Sequence, residues 1–260
     1  MTVDRRANTL SQTQFLLENY ERRGEVYETV ICDSPTLDRI FAHLRYKVLC
    51  EEHPEFCQDH NVDLTETDAY DNRSVKFLLI FKPLQMVVGG ARIIMPDHNT
   101  DFHGLPCIEH EQSYFHTHLP FDINQSAEIS RFILSRHRLK VARDYMKNYQ
   151  PDFQDQLFPS PIEYLIWILF MIAKDKNLTT YCALLEKSLI RLLSKFGIKT
   201  EEWGDEIVCH GIRRTVVFDL TSVVDNMSKI NIKSANFLFR HNTGQPGIMC
   251  SNIPLNLVEY

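Results

Sequence analysis

Residues 127–135, AEISRFILS, constrain this chain more than any other stretch. The alternation and the branched side chains are those of a β-strand. Ile129, Arg131 and Ile133 are expected on one face, and Glu128, Ser130, Phe132 and Leu134 on the other. A glutamate and an arginine in an otherwise buried-looking strand each need a partner, because an unpaired buried charge is very costly. The basic run Arg136, His137, Arg138, Lys140, Arg143 and Lys147 follows at once and opens a helix. There, first-turn N–H groups and cationic side chains can hold phosphate. A carboxylate beside a phosphate grip points to transfer of a group from a phosphate-bearing carrier.

Around this centre the pattern predicts a strand over 25–32 and a helix from Ser34-Pro35 to about Glu52. Leu37, Ile40, Phe41, Leu44 and Val48 form the buried stripe of that helix, with Arg45 on its edge. An acidic connection over 53–74 leads to paired strands at 75–82 and 86–95, turned at Lys82-Pro83-Leu84-Gln85. Gly89-Gly90 in the second strand implies a bulge or a close backbone approach. An irregular, histidine-rich stretch over 96–125 precedes the central strand. Beyond it come helices over 137–147, 161–175 and 185–196 and strands near 178–184, 198–203 and 213–220, with a linker at 151–161. This order argues for a single α/β domain with a mixed sheet over 25–220, an N-terminal arm over 1–24 and a C-terminal extension over 221–260 packed on the same domain.

The net charge of −6 gives no ground for nucleic-acid binding, so an anion site must be a local patch. The most apolar segment, 164–173, is too short to span a bilayer. Nothing at the N-terminus reads as a signal peptide, and a cytoplasmic protein is expected. Seven cysteines, an odd number, do not look like a disulfide framework, so reduced thiols are expected. Cys50, His53, Cys57 and His60 have the types of a zinc site, but Pro54 prevents one helix from presenting all four. No metal is therefore assigned. His98, His103, His110, His116 and His118 read as loop histidines.

Glu66, Asp68, Asp71 and Glu128, with Arg45, Arg92 and Arg131, lie in segments that would meet on one sheet, with Ser130 between two of them. Residue types alone leave two readings open, a structural ion-pair network and a reactive site. The series Leu44-Arg45-Tyr46, Glu66-x-Asp68-x-Tyr70-Asp71, Gly90-x-Arg92 and Glu128-x-Ser130-Arg131-Phe132 resembles the N-acyl-homoserine-lactone synthases. It resembles more closely their relatives, the N-acyl amino acid synthases and exosortase-system-associated acyltransferases, over about residues 25–220. The run from Arg45 to His53 and His210-Gly211-Ile212-Arg213 are also similar, although Arg214-Thr215 stands where a proline is expected.

The resemblance implies a GNAT-like fold, with a mixed, mostly antiparallel sheet flanked by helices. It also implies transfer of a fatty acyl group from an acyl-carrier-protein or coenzyme A thioester to the amine of an amino acid or similar small molecule. No cofactor is bound permanently in this reading. Such enzymes ordinarily place a glycine-containing phosphate loop after the central strand; residues 136–142 contain no glycine. Phosphate or carrier binding would then rest on Arg136, Arg138, Lys140 and Arg143. The chemistry asks for a proton acceptor, assigned to Glu66 or Glu128 with Glu66 preferred, and for Arg92 or Arg131 as organiser. It also asks for backbone donors at a bulge in the central strand. A homoserine-lactone synthase using S-adenosylmethionine, and a silent acyl-carrier binding module, are the alternatives.

Overall fold

The computed structural model describes residues 26–54, 57, 63–110, 119, 121–149, 160–208 and 211–231. Seven strands form one sheet: β1 (Tyr27–Ile31), β2 (Ser74–Phe81), β3 (Met86–Ile94), β4 (Ser126–Leu134), β5 (Thr180–Leu185), β6 (Glu201–Val208) and β7 (Ile212–Asp219). Their order is β1-β2-β3-β4-β5-β7-β6, and only the β4–β5 pair is parallel. The helices are α1 (Pro35–Tyr46), α2 (Pro106–His110), α3 (Arg136–Tyr149), α4 (Pro161–Asp175), α5 (Lys187–Lys195) and α6 (Leu220–Ile230). The mixed, mostly antiparallel sheet flanked by helices is as expected. Strand β6 runs to Val208, five residues past its expected end, because it pairs in a hairpin with β7. The 151–159 part of the expected linker, the 1–24 arm and 232–260 lie outside the described residues.

Helix α1 starts where its sequence says. The Ser34 side chain accepts a hydrogen bond from Leu37 N–H, and Pro35 takes the first helical position, where no N–H is needed. The helix passes into a π-helical turn, Lys47–Glu52. Its apolar stripe lies on one face of the sheet, with Phe41, Leu44 and Val48 packed against Leu78, Ile80, Val87 and Ile133. Gly90 permits this closeness: a Cβ there would stand 2.5 Å from the Phe77 carbonyl oxygen and 3.1 Å from the Phe41 ring. Helices α3 to α6 contribute to the larger core, with Phe77, Leu79, Ala91, Ile93, Tyr181 and Ala183.

Two irregularities at β4 shape the middle of the sheet. Gly90 pairs with Ile133 and Arg92 with Ser130, so Arg131 and Phe132 together oppose Ala91 in a β-bulge. Arg131 takes up the kink with φ of 50°, a left-handed conformation that costs a non-glycine residue about 1 kcal/mol. The bulge also corrects the expected alternation. Arg131 joins Glu128 and Ser130 on the α1 face, while Phe132 turns to the other side with Ile129. The second irregularity is an opening. Strand β4 pairs with β5 only from Ser126 to Glu128, after which β4 stays with β3 and β5 with β7. A narrow pocket with an entirely apolar lining, including Ile129, Phe132, Leu169, Tyr181 and Leu189, lies on the α4 side of this opening.

Candidate active site

On the α1 face residues 63–73 of the acidic connection lie over the sheet. Asp68 caps the 3-10 turn Ala69–Arg73 in a capping box with Asp71, which fixes both carboxylates in place. Arg45, fully buried, bonds Glu66 through Nε, Asp71 through Nη1 at 2.7 Å and Asp68 through Nη2 at 3.3 Å. Arg92, 1% exposed, reaches Asp68 and Asp71 through Nη1 and donates from Nη2 to the Ser130 hydroxyl at 3.1 Å. Arg131 donates to both oxygens of Glu66, at 3.1 and 2.8 Å, and to Asp68 at 3.1 Å. Three guanidiniums thus share three carboxylates, and shared partners are the condition under which buried charges are tolerated. A polar cavity of about 560 Å³ between α1 and residues 63–72 opens onto this cluster, lined by Asp38, Phe41, Arg45, Thr67, Asp68 and Asp71 among others.

Glu128 stands apart from the cluster. It is 2% exposed, and its Oε2 accepts the Cys107 N–H at 2.8 Å. The Cys107 and Cys182 sulfurs lie 3.0 Å apart beside it. Burial pushes the Glu128 carboxyl up to about 7, against the lowering effect of the Cys107 hydrogen bonds and the Arg92 charge. Burial of Glu66 works in the same direction, but there the bonds from Arg131 and Arg45 win and hold the group at about 2. Asp68 is likewise held low: burial opposes ionisation, and the Arg92 bond outweighs it. Tyr70 donates to Glu109 at 2.8 Å, and its ring lies 5.9 Å from the Arg92 guanidinium carbon.

Of the residues singled out in the sequence, Arg45, Glu66, Asp68, Asp71, Arg92, Ser130 and Arg131 come together in one bonded cluster. Glu128 is on the same face without an ion pair to it. The basic run is split. Arg136, Lys140 and Arg143 are exposed, whereas Arg138 turns inward to the Val87 carbonyl oxygen at 2.9 Å. The expectation of reduced thiols is corrected at one place: Cys50 and Cys57 form a disulfide, while Cys32, Cys107 and Cys182 are free. The bond also removes both sulfurs from any zinc reading of Cys50, His53, Cys57 and His60; His60 lies outside the described residues. Cys107, Glu128 and Cys182, within 4.8 Å of one another, are the one donor group among the described residues able to surround a metal ion. Burial raises both of these thiols, which favours the neutral forms over metal-binding thiolates. Sequence reasoning passed over this pair because Cys182 reads as strand core and Cys107 falls in an irregular stretch.

Residues 44–148 match the family model of the acetyltransferase (GNAT) domain. The domain is GNAT-like. The match runs from α1 through α3 and so contains the whole carboxylate–arginine cluster. No curated protein matches the chain by sequence. Among solved structures, BjaI, a CoA-dependent acyl-homoserine lactone synthase solved with MTA, is 16% identical with a TM-score of 0.54, over 78% of this chain and 90% of that one. The AHL synthase LasI is 14% identical with a TM-score of 0.54, over 87% and 98%. FeeM, an N-acyl amino acid synthase from uncultured soil microbes, is 12% identical with a TM-score of 0.51, over 77% and 95%. At these identities the likeness establishes a shared GNAT-like fold. Among the described residues, no helix is long and apolar enough to cross a membrane.

Proposed function

We propose that this GNAT-like domain is an N-acyltransferase that moves a fatty acyl group from a phosphopantetheine thioester to the amine of an amino acid or similar small molecule. The observation that carries the reading is the β4 bulge at Arg131–Phe132, set beside the β4–β5 opening. The apolar pocket is lined by Phe132 of the bulge, and on the opposite face of the sheet the charged cavity is linked to the bulge through Asp68, which lines it and is bonded to Arg131. A thioester seated at the bulge has its acyl chain against Ile129 and Phe132 and its carbonyl near backbone freed from the ladder, where N–H groups can stabilise an oxyanion. The acceptor takes the charged cavity, whose lining carries both carboxylates (Asp38, Asp63, Asp68 and Asp71) and cations (Arg39, Arg45 and Lys76) and so offers partners to both the ammonium and the carboxylate of an amino acid. FeeM, named an N-acyl amino acid synthase, and BjaI, named an acyl-homoserine lactone synthase, share this fold and support the reading.

In the reaction the ammonium group first gives one proton to a base; the free amine nitrogen then attacks the thioester carbonyl, the C–N bond forms, the C–S bond breaks, and the nitrogen loses a second proton. Glu66 was the preferred acceptor from sequence. Held near 2 by two guanidiniums, it is a poor base at neutral pH and is assigned here as an organiser with Arg131. Glu128, lifted to about 7 by burial and on the cluster's face of β4, is assigned the base role. The departing thiolate takes up a proton in exchange.

Mass spectrometry of lipid extracts from cells expressing wild type, Glu128→Gln and Arg131→Ala tests this. New N-acyl amines in wild type alone support it. With purified protein, Glu128→Gln lowers kcat by roughly 10²- to 10⁴-fold while the fold survives. Acyl lactones in place of acyl amino acids would move the assignment to a lactone synthase. Extracts indistinguishable from an empty-vector control would leave the silent carrier-binding module.

A further inference from the structure

The N-terminus of α3 is already occupied by an anion from the chain itself. Glu52, the last residue of the π-helical turn, accepts the Ser135 hydroxyl through Oε1 at 2.5 Å and the Arg136 N–H through Oε2 at 2.8 Å. Ser135 is 1% exposed, and its Oγ in turn accepts the Arg138 N–H at 3.2 Å. Side chains thus take two first-turn donors, at the helix end where the sequence led us to expect a phosphate grip. The Arg138 guanidinium, also expected there, is bonded to Val87 and feels the charges of Glu52 and Glu51. What remains outward is the exposed row Arg136, His137, Lys140 and Arg143.

Position gives this arrangement a consequence. From the bulge at Arg131 to Ser135 is four residues of extended chain, roughly 13 Å, a span that a pantetheine arm covers. An arm laid along β4 from the bulge would bring its phosphate beside Glu52. Donors differ at this point. An arm on a carrier protein ends in a phosphodiester with one negative charge; coenzyme A ends in a diphosphate with two, followed by a 3′-phosphate. A helix N-terminus is where a diphosphate ordinarily binds, and here a carboxylate holds the N–H it would use and repels its extra charge.

We propose that Glu52 determines donor choice, excluding the diphosphate of coenzyme A from the α3 N-terminus and so favouring the singly charged arm of a carrier protein. This rests on the acyltransferase reading and names the donor class of that same site. The exposed cations then serve the carrier's surface rather than a nucleotide.

Isothermal titration calorimetry of the full chain with coenzyme A and with the methyl ester of 4′-phosphopantetheine, a phosphodiester with one negative charge like the carrier-bound arm, tests it. Wild type is expected to bind coenzyme A no more tightly than this methyl ester. In Glu52→Gln a neutral oxygen still accepts the Arg136 N–H, and the affinity for coenzyme A rises about tenfold or more, with a smaller gain for the singly charged methyl ester. Glu51→Gln makes the same change in net charge one residue earlier, where the carboxylate pairs with Lys47 at 2.7 Å, and is expected to leave coenzyme A binding within about threefold. Equal gains in the two variants, or equal gains for the two ligands, would overturn the proposal. So would a wild type that prefers coenzyme A, a result that needs no variant to fold. Turnover is scored separately with acyl-carrier protein and acyl-coenzyme A. If wild type uses neither, the acyltransferase reading fails, while the calorimetry still judges Glu52.

Discussion

Glu66 and Glu128 lie on the same side of the sheet, yet one is met by two guanidiniums and the other by a backbone N–H and two thiols. The first arrangement supplies full opposite charge, so burial is offset and the carboxyl stays ionised to about pH 2. The second supplies only neutral donors, the Cys107 N–H and thiol, so burial dominates and lifts the carboxyl to about 7. The contrast shows how one polypeptide keeps a firmly ionised carboxylate and a readily protonated one on a single face. Neighbours decide the role, and residue type does not.

The largest effect should come from removing charge from the balanced end. Arg45→Met leaves Glu66, Asp68 and Asp71 with two guanidiniums between them and is expected to cost about 3 kcal/mol in urea unfolding at pH 7. The value sits at the low end for a broken buried pair because these carboxylates keep 15–22% exposure. A loss below about 1 kcal/mol would mean the cluster does not hold residues 63–73 down.

The two glutamates should also give stability curves of opposite sign. Glu66 has its carboxyl lowered from 4.5 to about 2, so it contributes about 3 kcal/mol that is present above pH 4.5 and lost as pH falls toward 2. Glu128 has its carboxyl raised from 4.5 to about 7. It therefore costs stability as pH rises from 4.5 to 7, by a total of about 3 kcal/mol. Glu128→Gln is accordingly expected to be more stable than wild type at pH 8 and to have lost the 4.5–7 slope, while losing activity. Equal stability of the two proteins at pH 8 in urea titrations would show that Glu128 is not strained by its charge.

A finer test concerns the bulge between these two ends. Arg131→Ala and Arg131→Gly both remove the guanidinium, but only alanine retains a Cβ at φ of 50°. Glycine is expected to be the more stable by about 1 kcal/mol. The reverse order would mean that the strand has straightened once the ion pairs are gone.

Much of this was legible in the chain. The Ser34-Pro35 start, the Lys82–Gln85 turn and the apolar helix ending at Asp175 carry local signals whose physics acts within a few residues, and all three appear where they were expected. Seven of the cluster residues were named beforehand, because buried-looking charges in apolar segments must find one another. The direction of Arg131 and Phe132 was misread, since strict alternation holds only while the ladder keeps step, and the extra residue opposite Ala91 shows only in the pairing. Glu52 lay inside a quoted run without a role, its partners being 83 and 84 residues away.

The sequence by itself determined which elements form and which charges had to be compensated, because helix caps, turns and the cost of an unpaired buried ion are written in neighbouring residues. Only the tertiary structure decided which glutamate is ionised, where β4 breaks step and what occupies the α3 N-terminus. Those outcomes depend on distances between segments far apart in the chain, and a carboxylate's charge state follows from whether a guanidinium or a thiol is the group that arrives beside it.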